Sequence, residues 1–170
     1  THYSVARTTG GSRDIISADG LVRIALDIMN YFECNWCFEN PQSGLLETRE
    51  IVKGLPFFDT SYCRYVFAYR KTTRLWTNLA LSLREPCTLR NPCASMVGKR
   101  HPMTAQQGRR GSDAGDTNNS WSQRELYRIP DGLCDAIAEA ANRALLETDV
   151  SVAPPLAGAH VPAPATLFSE

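Results

Sequence analysis

The stretch Trp36-Cys37-Phe38-Glu39-Asn40-Pro41 decides the fold prediction, because it joins an apolar run to a lone acid, an amide and a proline. Residues 34–38 favour a short strand, and the apolar run at 21–32 before them has helical spacing. A helix followed by a strand with a polar residue at its end is typical of an α/β unit. Ligands in open α/β sheets bind outside the carboxyl ends of strands, so we expect Glu39 at an active-site edge. The alternative interpretation is that Glu39 is only a capping or turn acid.

Working outward, the helix begins after Asp19, and its wide apolar arc predicts a buried helix. Thr48 is the expected N-cap of a short helix over 49–53, with Gly54 at its C-terminal end. Residues 61–65 and 73–79 are rich in Thr, Tyr, Leu and Trp, which indicates two further strands.

Regular periodicity is lost from residue 82 to about 121, where glycines and asparagines predict long loops. Ser122 and Glu125 have capping-box spacing, and Pro130 suits the first turn of the last helix. From Asp149 onward the chain is rich in Pro, Ala and Val, so 149–170 is expected to be a disordered tail. We therefore predict one domain over 1–148 with an irregular insert at 82–121.

Charge is strongly segregated although the total over 170 residues is zero. Residues 1–59 hold 5 Lys/Arg and 8 Asp/Glu, residues 60–110 hold 10 and 1, and residues 111–170 hold 3 and 9. The middle segment therefore has a net charge of +9 between flanks of −3 and −6. Such a block indicates a phosphate-facing surface, although a solvated basic face is the plainer interpretation.

Targeting and membrane signals are missing from the sequence. No apolar stretch approaches the length of a membrane span, and residues 1–4 show no signal-peptide pattern. The six cysteines are irregularly spaced, which argues against a secreted disulfide framework. We expect an intracellular protein, in the nucleus or cytoplasm, without a membrane partner.

The order of motifs resembles that of DNA cytosine-5 methyltransferases. Tyr3-Ser4-Val5-Ala6-Arg7, the helix at 21–32 and Glu39-Asn40-Pro41 are similar to the mobile loop, helix and Glu-Asn motif that follow the family's Pro-Cys nucleophile. A second match is Tyr69-Arg70-Lys71-Thr72-Thr73-Arg74, which resembles the family's Gln-x-Arg-x-Arg segment with Thr72 in place of the first arginine. The resemblance covers most of residues 1–148 and points to a divergent branch.

The resemblance implies a partial Rossmann-type sheet and S-adenosylmethionine as the methyl donor. It assigns Glu39 and Asn40 to the grip on a flipped cytosine, with Glu39 at ring atom N3, and Arg74 to contact with the same base. The nucleophilic cysteine and most of the donor site would precede Thr1, so the chain is expected to be inactive alone. The cofactor-binding residues are not identified.

Nucleic-acid contacts are expected from basic and loop residues. The resemblance places Ser4 and Arg7 in a loop that closes over DNA. A second, basic loop with Lys99, Arg100, Arg109 and Arg110 lies where the family keeps its target-recognition region. The candidate contacts are Ser4, Arg7, Arg70, Lys71, Lys99, Arg100, Arg109 and Arg110. Plain solvated loops are the alternative for this set.

A separate group of residues has the chemistry of a zinc site. Cys87-x5-Cys93-x7-His101, with Cys63 as a fourth ligand, offers thiolates and an imidazole for tetrahedral zinc. Isolated thiols are the alternative, because the spacing is not a tight C-x-x-C knuckle.

Three interpretations of function stay open. The first is a DNA (cytosine-5) methyltransferase-like protein, and the second is a non-catalytic nucleic-acid-binding remnant of such an enzyme. The third is an RNA cytosine-5 methyltransferase, since the same acid and arginine would serve either polymer.

Overall fold

A computed structural model of the chain describes residues 2–3, 13–105, 108–109 and 122–150. Its helices are α1 (Ile15–Phe32), α2 (Gln123–Tyr127) and α3 (Asp131–Val150), and its strands are β1 (Cys37–Pro41), β2 (Phe57–Ser61), β3 (Thr72–Thr77), β4 (Met103–Thr104) and β5 (Gly108–Arg109). Short 3₁₀ turns cover Leu45–Thr48, Glu50–Val52 and Tyr62–Tyr65. The predicted mixture of helices and strands is confirmed.

The main sheet has the order β1-β3-β2, and β3 is antiparallel to both neighbours. A Rossmann-type sheet is mostly parallel, so these three strands do not establish the predicted Rossmann character. Directly paired residues lie on the same face, and successive residues alternate between faces. Glu39 is paired with Leu75, whereas Asn40 and Asp59 are both paired with Arg74. Glu39 and Arg74 therefore point to opposite faces.

Both faces of the sheet are covered by apolar side chains. On the Glu39 face, Leu75 packs with Tyr62, Tyr69 and Leu133, and this cluster continues along α3. On the Arg74 face, the buried members around Trp76 are Tyr3, Ala18, Leu46 and Val52. The sheet is thus the middle layer between α3 on one side and α1 with the first two 3₁₀ turns on the other.

The prediction of a buried first helix was wrong. Helix α1 begins earlier, after Asp14, whose Oδ1 accepts a 2.9 Å hydrogen bond from Ser17 N. Only Ala18 is buried, and α1 meets the Trp76 cluster through that residue, Ile15 and Val22. Ala25, Leu26 and Met29 are half-buried, and the larger apolar side chains Leu21, Ile24, Ile28 and Phe32 are exposed. No helix in the described ranges is both long and apolar enough to cross a membrane.

The first strand both begins and ends later than predicted, and because it extends to Pro41, Glu39 lies inside β1 rather than after it. The three residues before β1 are tied to a side chain instead of to a strand. The Asn78 amide accepts from Trp36 N at 2.9 Å and donates to Cys34 O at 3.2 Å. A long-range side-chain contact of this kind leaves no mark in the local pattern.

Two other predicted boundaries were wrong. The expected helix at 49–53 is a pair of 3₁₀ turns, and Thr48 Oγ1 donates to Leu45 O instead of capping a helix. The expected strand at 61–65 is a 3₁₀ turn, because the strand β2 has already ended at Ser61. The β3 prediction was close, with the strand ending at Thr77.

The C-terminal predictions agree better with the structure. The capping box of α2 is confirmed, since Ser122 Oγ accepts from Glu125 N and the Glu125 carboxylate accepts from Ser122 N. Pro130 directly precedes α3, and its carbonyl accepts from Leu133 N and Cys134 N. Helix α3 includes residues 149 and 150, and the rest of the predicted tail lies outside the described residues.

Val66 has a strained backbone directly after the third 3₁₀ turn. Its φ is +57°, in the left-handed region that β-branched residues avoid, and its side chain is 91% exposed. The exposed side chain has little packing to offset the steric cost of about 1–2 kcal/mol. The turn that carries Cys63 and Arg64 therefore ends in a position better suited to glycine.

We predict that Val66→Gly raises the free energy of unfolding by about 1 kcal/mol, because it removes the Cβ clash. Urea denaturation with a fixed slope measures this change. The matched control is Val97→Gly, an exposed valine without a positive φ, which should lower stability by about 0.5–1 kcal/mol through chain entropy. Equal losses in the two variants would contradict the strain at Val66.

Candidate functional site

Glu39 is held on the α3 face of the sheet by two polar side chains. Its Oε1 accepts a hydrogen bond from Thr73 Oγ1 and lies 3.2 Å from Lys71 Nζ. The carboxylate is half-buried, with 24% of the side chain exposed. No hydrogen bond to Oε2 is found within the described part of the chain. This oxygen can accept a hydrogen bond from an amino or ring N–H group of a ligand.

Lys71 is fixed in turn by Tyr62. The Lys71 ammonium donates to the Tyr62 hydroxyl at 3.2 Å and lies 4.6 Å from the centre of that ring. Burial raises the pKa of Tyr62, and the nearby charge of Glu39 raises it further, so the phenol stays a neutral acceptor. Lys71 is thus a counter-charge for Glu39 on a rigid support.

Asn40 lies on the other face and is buried. Its Oδ1 has no hydrogen-bond partner among the described residues, and a Cβ added to Gly44 would lie 2.5 Å from it. Leu45 N donates to Tyr3 O at 2.8 Å, so Tyr3 lies close to Gly44 and Asn40. Ser4 and Arg7, which follow directly in sequence, lie outside the described residues.

Arg74 forms the best-defined ion pair of the sheet. Its guanidinium holds Asp59 with two hydrogen bonds of 2.7 and 2.8 Å and lies 3.2 Å from Glu47 Oε2. It also stacks 3.8 Å from the Phe57 ring centre, and only 15% of the side chain is exposed. The hydrogen bonds with Asp59 raise the pKa of Arg74 further above its usual value. Arg74 therefore serves to join β3 to β2.

Glu39 and Arg74 lie on neighbouring strands, as the sequence suggested, but the sheet separates their side chains. The structure does not bring them together around one ligand. Lys71 does lie beside Glu39. Arg70, at the other end of the predicted 69–74 motif from Arg74, is paired through its backbone with residue 104. Neither Thr73 nor Asp59 was identified from the sequence, because strand register is needed to find them.

The four predicted metal ligands do come together. The ligand atoms of Cys63, Cys87, Cys93 and His101 all lie within 4.8 Å of one another. His101 Nε2 is 3.5 Å from Cys87 Sγ and 3.1 Å from Cys93 Sγ. Ideal zinc bonds of about 2.05 and 2.3 Å at tetrahedral angles would separate nitrogen and sulfur by about 3.6 Å. The cluster is compatible with zinc.

The electrostatics of two of the four side chains, Cys93 and His101, suit a metal. Cys63 is the exception, because burial and the neighbouring thiols of Cys87 and Cys93 raise its pKa, so only the charge of a bound ion would favour its thiolate. Burial alone would raise the pKa of Cys93 too, but hydrogen bonds from Ser95 and the neighbouring thiols outweigh it, so the pKa is lowered. Burial, then the charge of Arg70, lowers the pKa of His101, which favours the neutral imidazole that binds metals.

Only some of the remaining predicted nucleic-acid contacts lie within the described residues. Arg70, Lys99 and Arg100 are exposed, and the latter two immediately precede the ligand His101. Arg109 belongs to β5 by its backbone, but its side chain and the whole of Arg110 lie outside the described residues.

A comparison with curated proteins gives one informative relative. A protein of frog virus 3 (isolate Goorha), named "Probable DNA (cytosine-5)-methyltransferase", is 31% identical over 114 residues. The match covers 65% of this chain and 51% of the relative, so the chain spans about half the length of that protein. No protein-family model matches the chain, and no solved structure matches it.

We predict that Asp59→Asn lowers the free energy of unfolding by about 1.5–3 kcal/mol, because it removes the charge that binds the half-buried Arg74. Urea denaturation provides the measurement. The control is Glu50→Gln, which breaks an exposed pair with Lys53 and should change stability little. If both variants lose equally little, the Arg74–Asp59 pair does not stabilise the sheet.

Proposed function

We propose that the chain is a divergent member of the DNA cytosine-5 methyltransferases and forms part of an enzyme that methylates C5 of cytosine in DNA. The observation that carries this proposal is the 31% identity to the frog virus 3 protein. S-adenosylmethionine is the proposed methyl donor, and the donor site is not assigned to particular residues. The proposal includes a domain over 1–148 of Rossmann type, with a target-recognition region at 82–121 and a tail at 149–170.

Glu39 is the proposed contact to the target base. Cytosine C5 becomes nucleophilic only after a thiolate has added at C6, and that addition is favoured when the ring nitrogen N3 is protonated or hydrogen-bonded. A carboxylate that shares a proton with N3 and accepts from the 4-amino group supplies this polarisation. The free Oε2 and the Lys71 and Thr73 contacts to Oε1 support such a role. The base would have to leave the duplex, at a cost of roughly a few kcal/mol.

Asn40 and Arg74 support the site from the other face in this proposal. Asn40 is buried near the end of β1, where its Oδ1 lies close to Gly44. Arg74 joins β3 to β2 through Asp59, and β3 is in turn paired with β1, so Arg74 supports Glu39 only indirectly, through strand β3. Contact between Arg74 and the base would require the guanidinium to exchange Asp59 for a base oxygen.

We predict that Glu39→Gln in the full-length gene product lowers the methylation rate of DNA by about 100-fold or more, because the amide cannot share a proton with N3. Transfer of labelled methyl groups from S-adenosylmethionine to a DNA duplex is the measurement, with RNA as a parallel substrate. DNA affinity should stay within about threefold. Glu50→Gln, on an exposed turn, is the control and should keep full activity.

Two results would redirect the proposal. Equal methylation rates for Glu39→Gln and the wild type would remove Glu39 from the chemistry. Salt-sensitive DNA binding without any methyl transfer would favour the non-catalytic binding protein. Transfer to RNA in preference to DNA would favour the RNA enzyme.

Zinc is the second cofactor that we propose, at Cys63, Cys87, Cys93 and His101. The four ligand atoms lie within 4.8 Å of one another. A set of three thiolates and one imidazole is typical of structural zinc, which leaves no open position for chemistry. The ion would therefore stabilise the fold and take no part in methyl transfer.

We predict one zinc ion per chain by elemental analysis of protein purified under reducing conditions. Cobalt should replace it with the ligand-field spectrum of tetrahedral thiolate coordination. Cys87→Ser should weaken zinc binding by at least about 100-fold, because even the loss of a supporting hydrogen bond costs about 10–100-fold. Cys34→Ser, an exposed thiol, is the control and should bind zinc normally. Protein that is fully folded and takes up no zinc would refute the site.

A further inference from the structure

We propose that zinc clamps the segment of residues 85–101 onto the end of β2 and thereby forms a phosphate-binding surface for DNA. The zinc-clamped surface, as we name it, consists of Arg70, Arg90, Lys99 and Arg100. This inference rests on the zinc site and the DNA substrate proposed above, and it adds that DNA affinity depends on the metal.

The ligands come from two separate parts of the chain. Cys63 lies in the 3₁₀ turn that directly follows β2, next to the sheet. Cys87, Cys93 and His101 lie between residues 82 and 102, where the structure has neither helix nor named strand. One ion bound to all four side chains would close this segment onto the sheet. Without an ion, the segment has no regular hydrogen-bonded element to hold its shape.

The other contacts of the segment reach the same few residues. Arg64 donates to the carbonyl oxygens of Glu85, Pro86, Asn91 and Pro92 at distances of 3.0, 3.4, 2.5 and 3.2 Å. Cys87 N donates to Ser61 Oγ at 3.1 Å, and Thr60 Oγ1 donates to Arg84 O at 2.6 Å. Thr60, Ser61 and Arg64 therefore hold the start of this segment against the end of β2.

Charge balance favours the same arrangement. Zinc with three thiolates and a neutral imidazole carries a net charge of −1, which is costly to bury without a counter-charge. Arg64 holds the loop that contains two of the ligands, and Arg70 is close enough to His101 to act on its charge. The loaded cluster would therefore have cations around it.

The cations of the zinc-clamped surface are placed by the ligands. Arg90 lies three residues from both Cys87 and Cys93, and Lys99 and Arg100 directly precede His101. Arg70 is joined by its backbone to the residues that follow His101, donating to Met103 O at 3.1 Å and accepting from Ala105 N at 3.1 Å.

All four of these side chains are exposed, and in the described ranges none has a carboxylate partner. The nearby acid Glu85 instead accepts from the Asn91 amide at 2.9 Å. Exposed cations without counter-charges are free to bind phosphates. A loop held in one conformation can present them together, whereas a loose loop loses simultaneous contacts and must be ordered on binding.

The first experiment compares DNA binding of the zinc-loaded and metal-free chain, using fluorescence anisotropy with a labelled duplex at low salt under reducing conditions. Removal of zinc by a chelator should raise the Kd at least about tenfold, and zinc added back should restore it. Circular dichroism should show that the helices remain. Binding that is unchanged without zinc, or helices lost together with binding, would overturn the clamp.

The second experiment keeps the metal and changes the surface. Lys99→Ala/Arg100→Ala should keep one zinc ion per chain, weaken DNA binding, and lower the slope of log K against log salt by about 2. Lys53→Ala, an exposed lysine paired with Glu50, is the control and should change neither affinity nor slope. An unchanged slope in the double variant would refute the zinc-clamped surface.

These outcomes separate the two proposals. A folded chain that binds no zinc refutes the metal site and this inference with it. A chain that binds zinc normally but binds DNA equally well in both metal states refutes this inference alone and leaves the metal site standing. If the Lys99→Ala/Arg100→Ala change abolishes DNA binding by the chain but the full-length gene product with the same change still methylates DNA, the zinc-clamped surface is not where the enzyme binds its substrate.

Discussion

The hydrogen bonding of β3 to both β1 and β2 is the constraint on which the rest of the structure depends. It makes β3 the only strand of the main sheet, among the described residues, with two neighbours, and its alternation assigns each side chain to a face. Thr73 and Leu75 face α3, whereas Arg74 and Trp76 face α1 and the first two 3₁₀ turns. A slip of one residue would exchange these sets and place Arg74 in the apolar core of the α3 side.

Charged side chains lie within both apolar layers, and each face pairs them differently. On the α3 side, Glu39 has Thr73 and Lys71, and Lys71 has Tyr62. On the other side, Asp59 and Glu47 surround Arg74. Half-buried charges of this kind are tolerated because each has a partner of opposite sign at hydrogen-bond distance. A site on the Glu39 face can therefore be open to a ligand while the Arg74 face serves to hold the strands.

The Cys/His cluster is a second fixed point, outside the sheet. It gathers residues that are as many as 38 positions apart, from Cys63 to His101, in a part of the chain with little regular structure. There, side-chain contacts from residues 60–64 hold the chain in place, whereas in the sheet backbone hydrogen bonds between strands do so. Helix α1 has fewer such contacts. Within the described ranges the rest of the chain packs against one edge of this helix, and most of its large apolar side chains are exposed.

Local chemistry let the sequence predict several features correctly. These are the capping box at Ser122, the last helix after Pro130 and most of β3, together with the proximity of the four candidate metal ligands. They depend on residue types at short spacing or on ligand chemistry. The resemblance to cytosine-5 methyltransferases was also visible in Glu39-Asn40-Pro41 and its order relative to other motifs, and the frog virus 3 relative supports it. Tertiary structure alone decided that α1 is largely exposed, that β1 contains Glu39, and that Arg74 faces away from it. These features depend on strand register and on contacts such as Asn78 with Cys34 and Trp36, which join residues more than 40 positions apart. Periodicity in a sequence reports which residues share a face, but it does not report what that face meets.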